Sequence, residues 1–148
     1  MEASLSNTAP LHCSNSADTL SKISDNTRHQ IHFSHMISVC IATYNGSSTL
    51  HAQLASILPQ LTEEDEIIVS DDGSTDDTQK VVESFHSPII RWVKGPCNGS
   101  LISNFENALK VSQGDYIFLS DQDDVWMPNK VEEMMKMIQS GYDCVVSD

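Results

Sequence analysis

From Ile37 onward, short runs of β-branched and apolar residues alternate with longer stretches whose apolar residues fall three and four apart. The first run, Ile37–Thr43 (ISVCIAT), predicts a strand. Tyr44, Asn45 and Gly46 make a turn, and Ser47 or Ser48 offers a helix N-cap. Leu50, Leu54, Ile57, Leu58 and Leu61 then share one helical face. Residues 66–70 (EIIVS) predict a second buried strand, ending at Asp71 and Asp72. Gly73 turns the chain, and Ser74 with Asp77 has the spacing of a capping box, opening a helix to about Phe85. Residues 89–93 predict a third strand and 94–99 a Gly/Pro loop. Ser100 is placed to cap a helix carrying Leu101, Phe105, Ala108 and Leu109. Residues 115–120 predict a fourth strand; Tyr116, Ile117, Phe118 and Leu119 lack polar alternation, as suits a strand covered on both faces. Pro128 suits the first turn of a last helix with Val131, Met134, Met135 and Ile138 on its apolar face. Gly141 ends that helix, and 143–147 begins a fifth strand.

The resulting order, β-α-β-α-β-α-β-α-β with short loops, implies a three-layer α/β/α fold with a mainly parallel sheet and right-handed crossovers. The carboxyl ends of all strands then lie along one edge, where ligands bind in such folds. Segments 44–46, 71–72 and 121–124 each follow a strand, so they are expected to converge there. Upstream, residues 1–35 are rich in Ser, Asn, Thr and His without any period, and read as a disordered polar leader before a domain at 36–148. His29, His32 and His35 have a spacing that suits a metal on a helix, but nothing around them predicts a stable helix, so a solvated tail is the simpler reading.

Charge narrows the partners. The 148 residues hold 8 basic and 21 acidic side chains, a net charge of -13. Nucleic-acid backbones and anionic membrane surfaces would repel such a chain. Its four cysteines, at 13, 40, 97 and 144, form no CxxC pair, which argues against a disulfide framework or zinc knuckle and for a reducing compartment. No apolar run is long enough for a transmembrane helix, and the N-terminus lacks an apolar signal core. A cytoplasmic location is expected, with any approach to the inner face of a membrane made through partners. The N-x-S sequons at Asn45 and Asn98 carry little weight in that setting.

The candidate chemistry sits at the strand ends. Asp121, Asp123 and Asp124 place three carboxylates after one strand, where they repel one another unless something positive is present. Magnesium often takes one or two carboxylates and completes its shell with substrate phosphates and water. Tyr44 offers a face for a planar base, and Asp71 or Asp72 an acceptor for a base N–H or ribose hydroxyls. Asp121 and Asp123 are candidates to hold a cation that neutralises a diphosphate. The first strand is not followed by GxGxxG or GxxxxGK[ST], so phosphate binding would rest on the metal. The plainer reading makes these aspartates turn and cap residues and Tyr44 a loop tyrosine on the sheet edge. A magnesium-dependent phosphoryl-transfer domain would place an acidic pair after its first strand. A nucleotidyltransferase would place a glycine-rich basic loop there. A non-catalytic nucleotide-binding remnant remains a third alternative.

Three stretches, ISVCIATYNG, IIVSDDGSTDDT and GDYIFLSDQDDVWMPNKVE, carry a family resemblance in the right order. From Ile37 to the end, the chain resembles family 2 inverting glycosyltransferases of the GT-A fold, and the DQDDVW form is similar to bacterial rhamnosyltransferase-like members. The resemblance implies transfer of a sugar from a nucleotide-diphosphate donor, UDP- or dTDP-linked, to the hydroxyl of a carbohydrate or lipid-linked acceptor in surface-polysaccharide synthesis. It implies Mg2+ or Mn2+ as cofactor. By position, Thr43, Tyr44 and Asn45 would line the base pocket, Asp72 would contact the base beside Asp71, Asp121 would lie near the ribose, and Asp123 would hold the metal. Asp124 and Trp126 match the continuation of the DxD motif and suit a role in capping and anchoring the next helix. Many members carry an Arg before the Asn of the third helix; this chain has Ser103 before Asn104, with Lys94 as a substitute cation. Family domains run longer, so the chain is expected to be a truncated donor- and metal-binding half. The general base would lie beyond Asp148, and the last strand would be an apolar, aggregation-prone edge.

Overall fold

The computed structural model describes residues 35–147. The expected leader, with His29 and His32, lies outside the described residues except for His35, whose ring stands edge-on to Tyr116 at 5.1 Å between centroids. Four strands form: β1 (Ile37–Thr43), β2 (Glu66–Asp71), β3 (Ile90–Lys94) and β4 (Tyr116–Asp121). They alternate with α1 (Leu50–Ile57), α2 (Thr78–Glu83), α3 (Leu101–Val111) and α4 (Lys130–Gln139), and one 3-10 turn, Leu58–Gln60, extends α1. All pairs are parallel, in the order β3-β2-β1-β4. The three-layer, mainly parallel architecture expected from the sequence is therefore the one observed.

Strand order reverses at β1. The chain steps outward from β1 to β2 to β3, then returns to place β4 on the other side of β1. A right-handed crossover in the opposite direction puts its helix on the opposite face. Accordingly, α3 packs against β1 and β2 on one face. The main core lies on the other face: Val39, Ile41, Ile67 and Val69 from the sheet meet Leu50, Leu54 and Ile57 of α1 and Val82 of α2. At the amino end of the sheet, Glu66 is buried and accepts from Ser38 Oγ (2.7 Å), Gln113 N (2.6 Å) and Arg91 Nη1 (2.6 Å). Burial alone would raise its carboxyl; these hydrogen bonds and the Arg91 charge outweigh burial and hold it below the ordinary glutamate value.

Several expectations need correction. Strand β4 is not covered on both faces. Phe118 and Ser120 are buried, but Ile117 and Leu119 are 40% and 57% exposed on the α3 side. Helix α3 lies over β1 and β2 and does not reach across β4. Residues 143–147 form no strand; Val146 is 87% exposed, and without a ladder partner a backbone N–H is satisfied by water instead. Among the described residues β4 is thus an edge strand. Helix α2 starts later than the Ser74–Asp77 spacing suggested, because the Ser74 hydroxyl donates to Asp71 rather than capping a helix. Thr49, not Ser47 or Ser48, is the N-cap residue of α1. Pro128 sits in the turn ahead of α4, not in its first turn. Ser100 caps α3 as expected, its Oγ accepting from Ser103 N at 3.3 Å. Among the described residues no helix is long and apolar enough to cross a membrane.

Candidate functional site

Outside the carboxyl ends of β1 and β4, at the point where strand order reverses, lies a cleft of about 360 Å3. Open parallel sheets place their ligand crevice at such a switch point. The end of β1 contributes Ala42, Thr43 and Tyr44; the turn after β2 contributes Asp72; the turn after β4 contributes Asp121, Gln122 and Asp123. The start of α3 closes one side with Gly99, Ser100, Leu101 and Asn104. Tyr44 is 55% exposed, its ring available to a ligand.

The two acidic turns differ in how their carboxylates are partnered. After β2, Asp71 accepts from Gly73 N (3.1 Å), Ser74 N (2.9 Å) and the Ser74 hydroxyl. Gly73 has φ +94°, a conformation that side chains with a Cβ disfavour, and this lets the turn fold back over Asp71. Asp72 accepts from Asn98 N (3.2 Å) and Gly99 N (2.7 Å), so it fixes the loop leading into α3 while still lining the cleft. After β4, no described donor reaches the carboxylate of Asp121 or Asp123. Asp124, exposed, accepts from Asp121 N at 3.2 Å. Burial first, then the charges of Asp124 and Asp123, push the Asp121 carboxyl above the ordinary aspartate value.

The backbone under this rim is held from behind. Gln53 of α1 is fully buried, and its Nε2 donates to Ser120 Oγ (2.8 Å) and to the Asp121 carbonyl. Trp126 is buried beside it, with Nε1 donating to Ser120 Oγ at 3.0 Å and its ring 5.7 Å from that of Phe118. Lys130 Nζ lies 5.2 Å from the Trp126 ring centroid. Trp126 therefore anchors the segment that leads into α4. Asn104 ties α3 to the strand ends by donating to Ser70 O (2.9 Å) and Thr43 O (3.3 Å).

Among the described residues no Lys, Arg or His lines the cleft, whereas three carboxylates do. Lys94 is not among the lining residues; its carbonyl accepts from Asn107 at 3.1 Å. A diphosphate in this cleft would need a cation. Among the described residues no group of three or more His, Cys, Asp or Glu forms a complete cage for one. The donor set fits a hard divalent cation in the mode that uses one or two carboxylates and leaves the remaining positions to phosphate oxygens and water. Asp121 and Asp123 are the side chains that would hold it.

Of the residues singled out from sequence, Thr43, Tyr44, Asp72, Asp121 and Asp123 line one cleft. Asn45 and Asp71 do not. Asn45 Oδ1 accepts from Thr75 N at 2.8 Å and its own N–H donates to Ser74 Oγ at 2.8 Å, which ties the first two turns together. The roles of Gln122 and Asn104 leave no mark in the sequence, since a single amide carries no periodic or charge signal.

The profile of the family described as Glycosyl transferase family 2 matches residues 38–148, well over half of the chain. The chain belongs to glycosyl transferase family 2. This family 2 chain is 33% identical over 106 residues to the UDP-Glc:alpha-D-GlcNAc-diphosphoundecaprenol beta-1,3-glucosyltransferase WfaP of Escherichia coli, covering 71% of this chain and 42% of that protein. It is 36% identical over 113 residues to the dTDP-rhamnosyl transferase RfbG of Shigella flexneri, covering 72% of this chain and 37% of that protein. Among solved structures it resembles the glucosyl-3-phosphoglycerate synthase of Mycobacterium tuberculosis in complex with Mn2+, UDP and glucosyl-3-phosphoglycerate. There the TM-score is 0.62 and the identity 26%, over 72% of this chain and 40% of that one. The chain thus spans about two fifths of the length of the curated relatives it matches. The resemblance to family 2 and to the GT-A fold, expected from the three motifs, is borne out.

Proposed function

We propose that this chain forms the donor- and metal-binding part of an inverting glycosyltransferase that moves a sugar from a nucleoside-diphosphate donor to an acceptor hydroxyl. The observation that carries this reading is the meeting, in one cleft, of an exposed aromatic ring, a backbone-anchored aspartate and two aspartates that no described donor reaches. Tyr44 gives the base a face to stack on. Asp72, held by the amides of Asn98 and Gly99, keeps lone pairs for a base N–H. Thr43 walls the same side. Asp121 and Asp123 hold Mg2+ or Mn2+, which would neutralise the diphosphate as it leaves. The donor is UDP- or dTDP-linked, as the names of the two bacterial relatives suggest for their own reactions. The acceptor is a carbohydrate, free or lipid-linked, of surface-glycan synthesis. An inverting transfer also needs a base to take the proton of the attacking hydroxyl. No carboxylate of this chain is assigned that task.

The test is titration calorimetry of UDP and dTDP with and without Mn2+. Nucleotide binding is expected to need the cation, and Asp123→Asn to weaken it by at least about 100-fold. Equal affinity for variant and parent chain removes Asp123 as a ligand. Release of UDP or dTDP from a panel of donor sugars separates a transferase from a chain that only binds nucleotide.

A further inference from the structure

Gln122 stands between the two metal-side aspartates, yet its side chain serves the other half of the cleft. Its Oε1 accepts from Thr43 Oγ1 at 2.9 Å and from Tyr44 N at 2.9 Å. The amide orientation is fixed by chemistry: a backbone N–H can only donate, so the atom facing Tyr44 N must be the oxygen. Gly46 makes room for this contact. A Cβ there would come 2.8 Å from Gln122 Oε1 and 2.7 Å from Thr43 Oγ1. Behind Gln122, the buried Gln53 holds the Asp121 carbonyl, which fixes the backbone from which Gln122 projects. Tyr44 is more than half exposed, so burial does not set its position. Among the described residues its N–H is held by Gln122 alone.

We propose that Gln122 is a positioning residue, a latch that sets the Thr43–Tyr44 base platform relative to the acidic turn that receives the metal-bound diphosphate. The base platform and the diphosphate site lie on loops separated by 78 residues of chain, and this amide joins them directly. The inference rests on the nucleoside-diphosphate reading of the cleft and deepens it, by naming the side chain that holds base and diphosphate contacts in register. Both hydrogen bonds need an acceptor at this position, and neither needs the amide nitrogen. A carboxylate should therefore replace the amide, and a thioether should not.

The experiment separates the two halves with two probes on the whole chain. Uridine is neutral and reports the base side; Mn2+ with inorganic pyrophosphate reports the metal side. Binding is followed by NMR titration for uridine and calorimetry for pyrophosphate, with melting curves as a check on folding. Gln122→Met is expected to weaken uridine about tenfold, the scale of two modest hydrogen bonds lost. Mn2+–pyrophosphate affinity should stay within about twofold. Gln122→Glu keeps the acceptor and should restore uridine binding to within about threefold of the parent. Gly46→Ala disturbs the same contact from the opposite side, and should likewise reduce uridine binding and spare pyrophosphate. Unchanged uridine binding in Gln122→Met, or an equal loss of both probes, overturns the latch and leaves the nucleotide reading standing. A parent chain that binds neither probe overturns the nucleotide reading, and the latch with it.

Discussion

The turn after β2 and the turn after β4 carry the same kind of sequence, paired aspartates at a strand end, and treat it in opposite ways. In the first, Asp71 gathers three hydrogen bonds from Gly73 and Ser74, and Asp76 accepts from Ser47 N, Thr78 N and the Thr78 hydroxyl. Those bonds, led by those from Thr78 and Ser47, hold the Asp76 carboxyl far below the ordinary aspartate value. In the second, no donor among the described residues reaches the carboxylate of Asp121 or Asp123, and the Asp121 carboxyl is pushed up. The neighbours explain the contrast. Segment 71–78 reads DDGSTDDT, whose hydroxyls and flexible glycine bring donors back to its own acids. Segment 121–126 reads DQDDVW, whose one amide faces Thr43 and Tyr44 instead. An aspartate is available to a cation where the surrounding loop has not already engaged it.

The strongest way to break that comparison is to empty the first turn. Asp71→Ala leaves Gly73 N, Ser74 N and the Ser74 hydroxyl without their acceptor. A loss of about 2–3 kcal/mol in urea-melt stability is expected, at the upper end for a buried acceptor that serves several donors. Asp123→Asn, by contrast, should leave urea stability within about 0.5 kcal/mol, because nothing described donates to that carboxylate. If the two variants cost the same stability, the distinction between engaged and available aspartates does not hold.

The sequence made much of this legible, and where it did not the reason is physical. Period and turn residues gave the four strands and four helices, because β-branched runs and i, i+4 spacings report local preference. The convergence of segments 44–46, 71–72 and 121–124 followed from topology alone. Strand pattern alone did not separate Asp71 from Asp72, since both follow the same strand; the family resemblance picked Asp72 for the base, and it is Asp72 that lines the cleft once the Gly73 turn has folded over Asp71. The exposure of Ile117 and Leu119 was also hidden. Residues 67–69 (IIV) and 117–119 (IFL) are equally apolar, but β2 lies inside the sheet and β4 at its edge. Composition reports that a strand is apolar, not how many layers cover it.

That second contrast gives a smaller test. Among the described residues β4 has an open face and an unpaired outer backbone edge, and these are expected to promote self-association. Leu119→Lys puts a charge on that face without touching the main core. Stability should change by no more than about 0.5 kcal/mol, while sedimentation velocity shows less high-mass material than the parent at equal concentration. The equivalent change inside β2, Ile68→Lys, should abolish folding, since that residue is fully buried.

The smallest effect concerns Asp121, and its sign sharpens the comparison most. Its folded carboxyl is raised above the unfolded value by burial and by the charges of Asp124 and Asp123. The folded state therefore binds that proton more tightly than the unfolded state does. Above the raised folded value the charged Asp121 costs stability, and the cost fades as pH falls through that value towards the unfolded one. Asp121→Asn removes the charge and should make the chain free of metal more stable at neutral pH. The gain should stay below about 1 kcal/mol, because a rim carboxylate is screened by solvent. The difference between variant and parent should close in acid, where both side chains are neutral. Mn2+ with UDP should reverse the order at neutral pH, because only the parent offers the cation both carboxylates. A chain in which Asp121→Asn lowers stability without metal would show that Asp121, like Asp71, already has a partner.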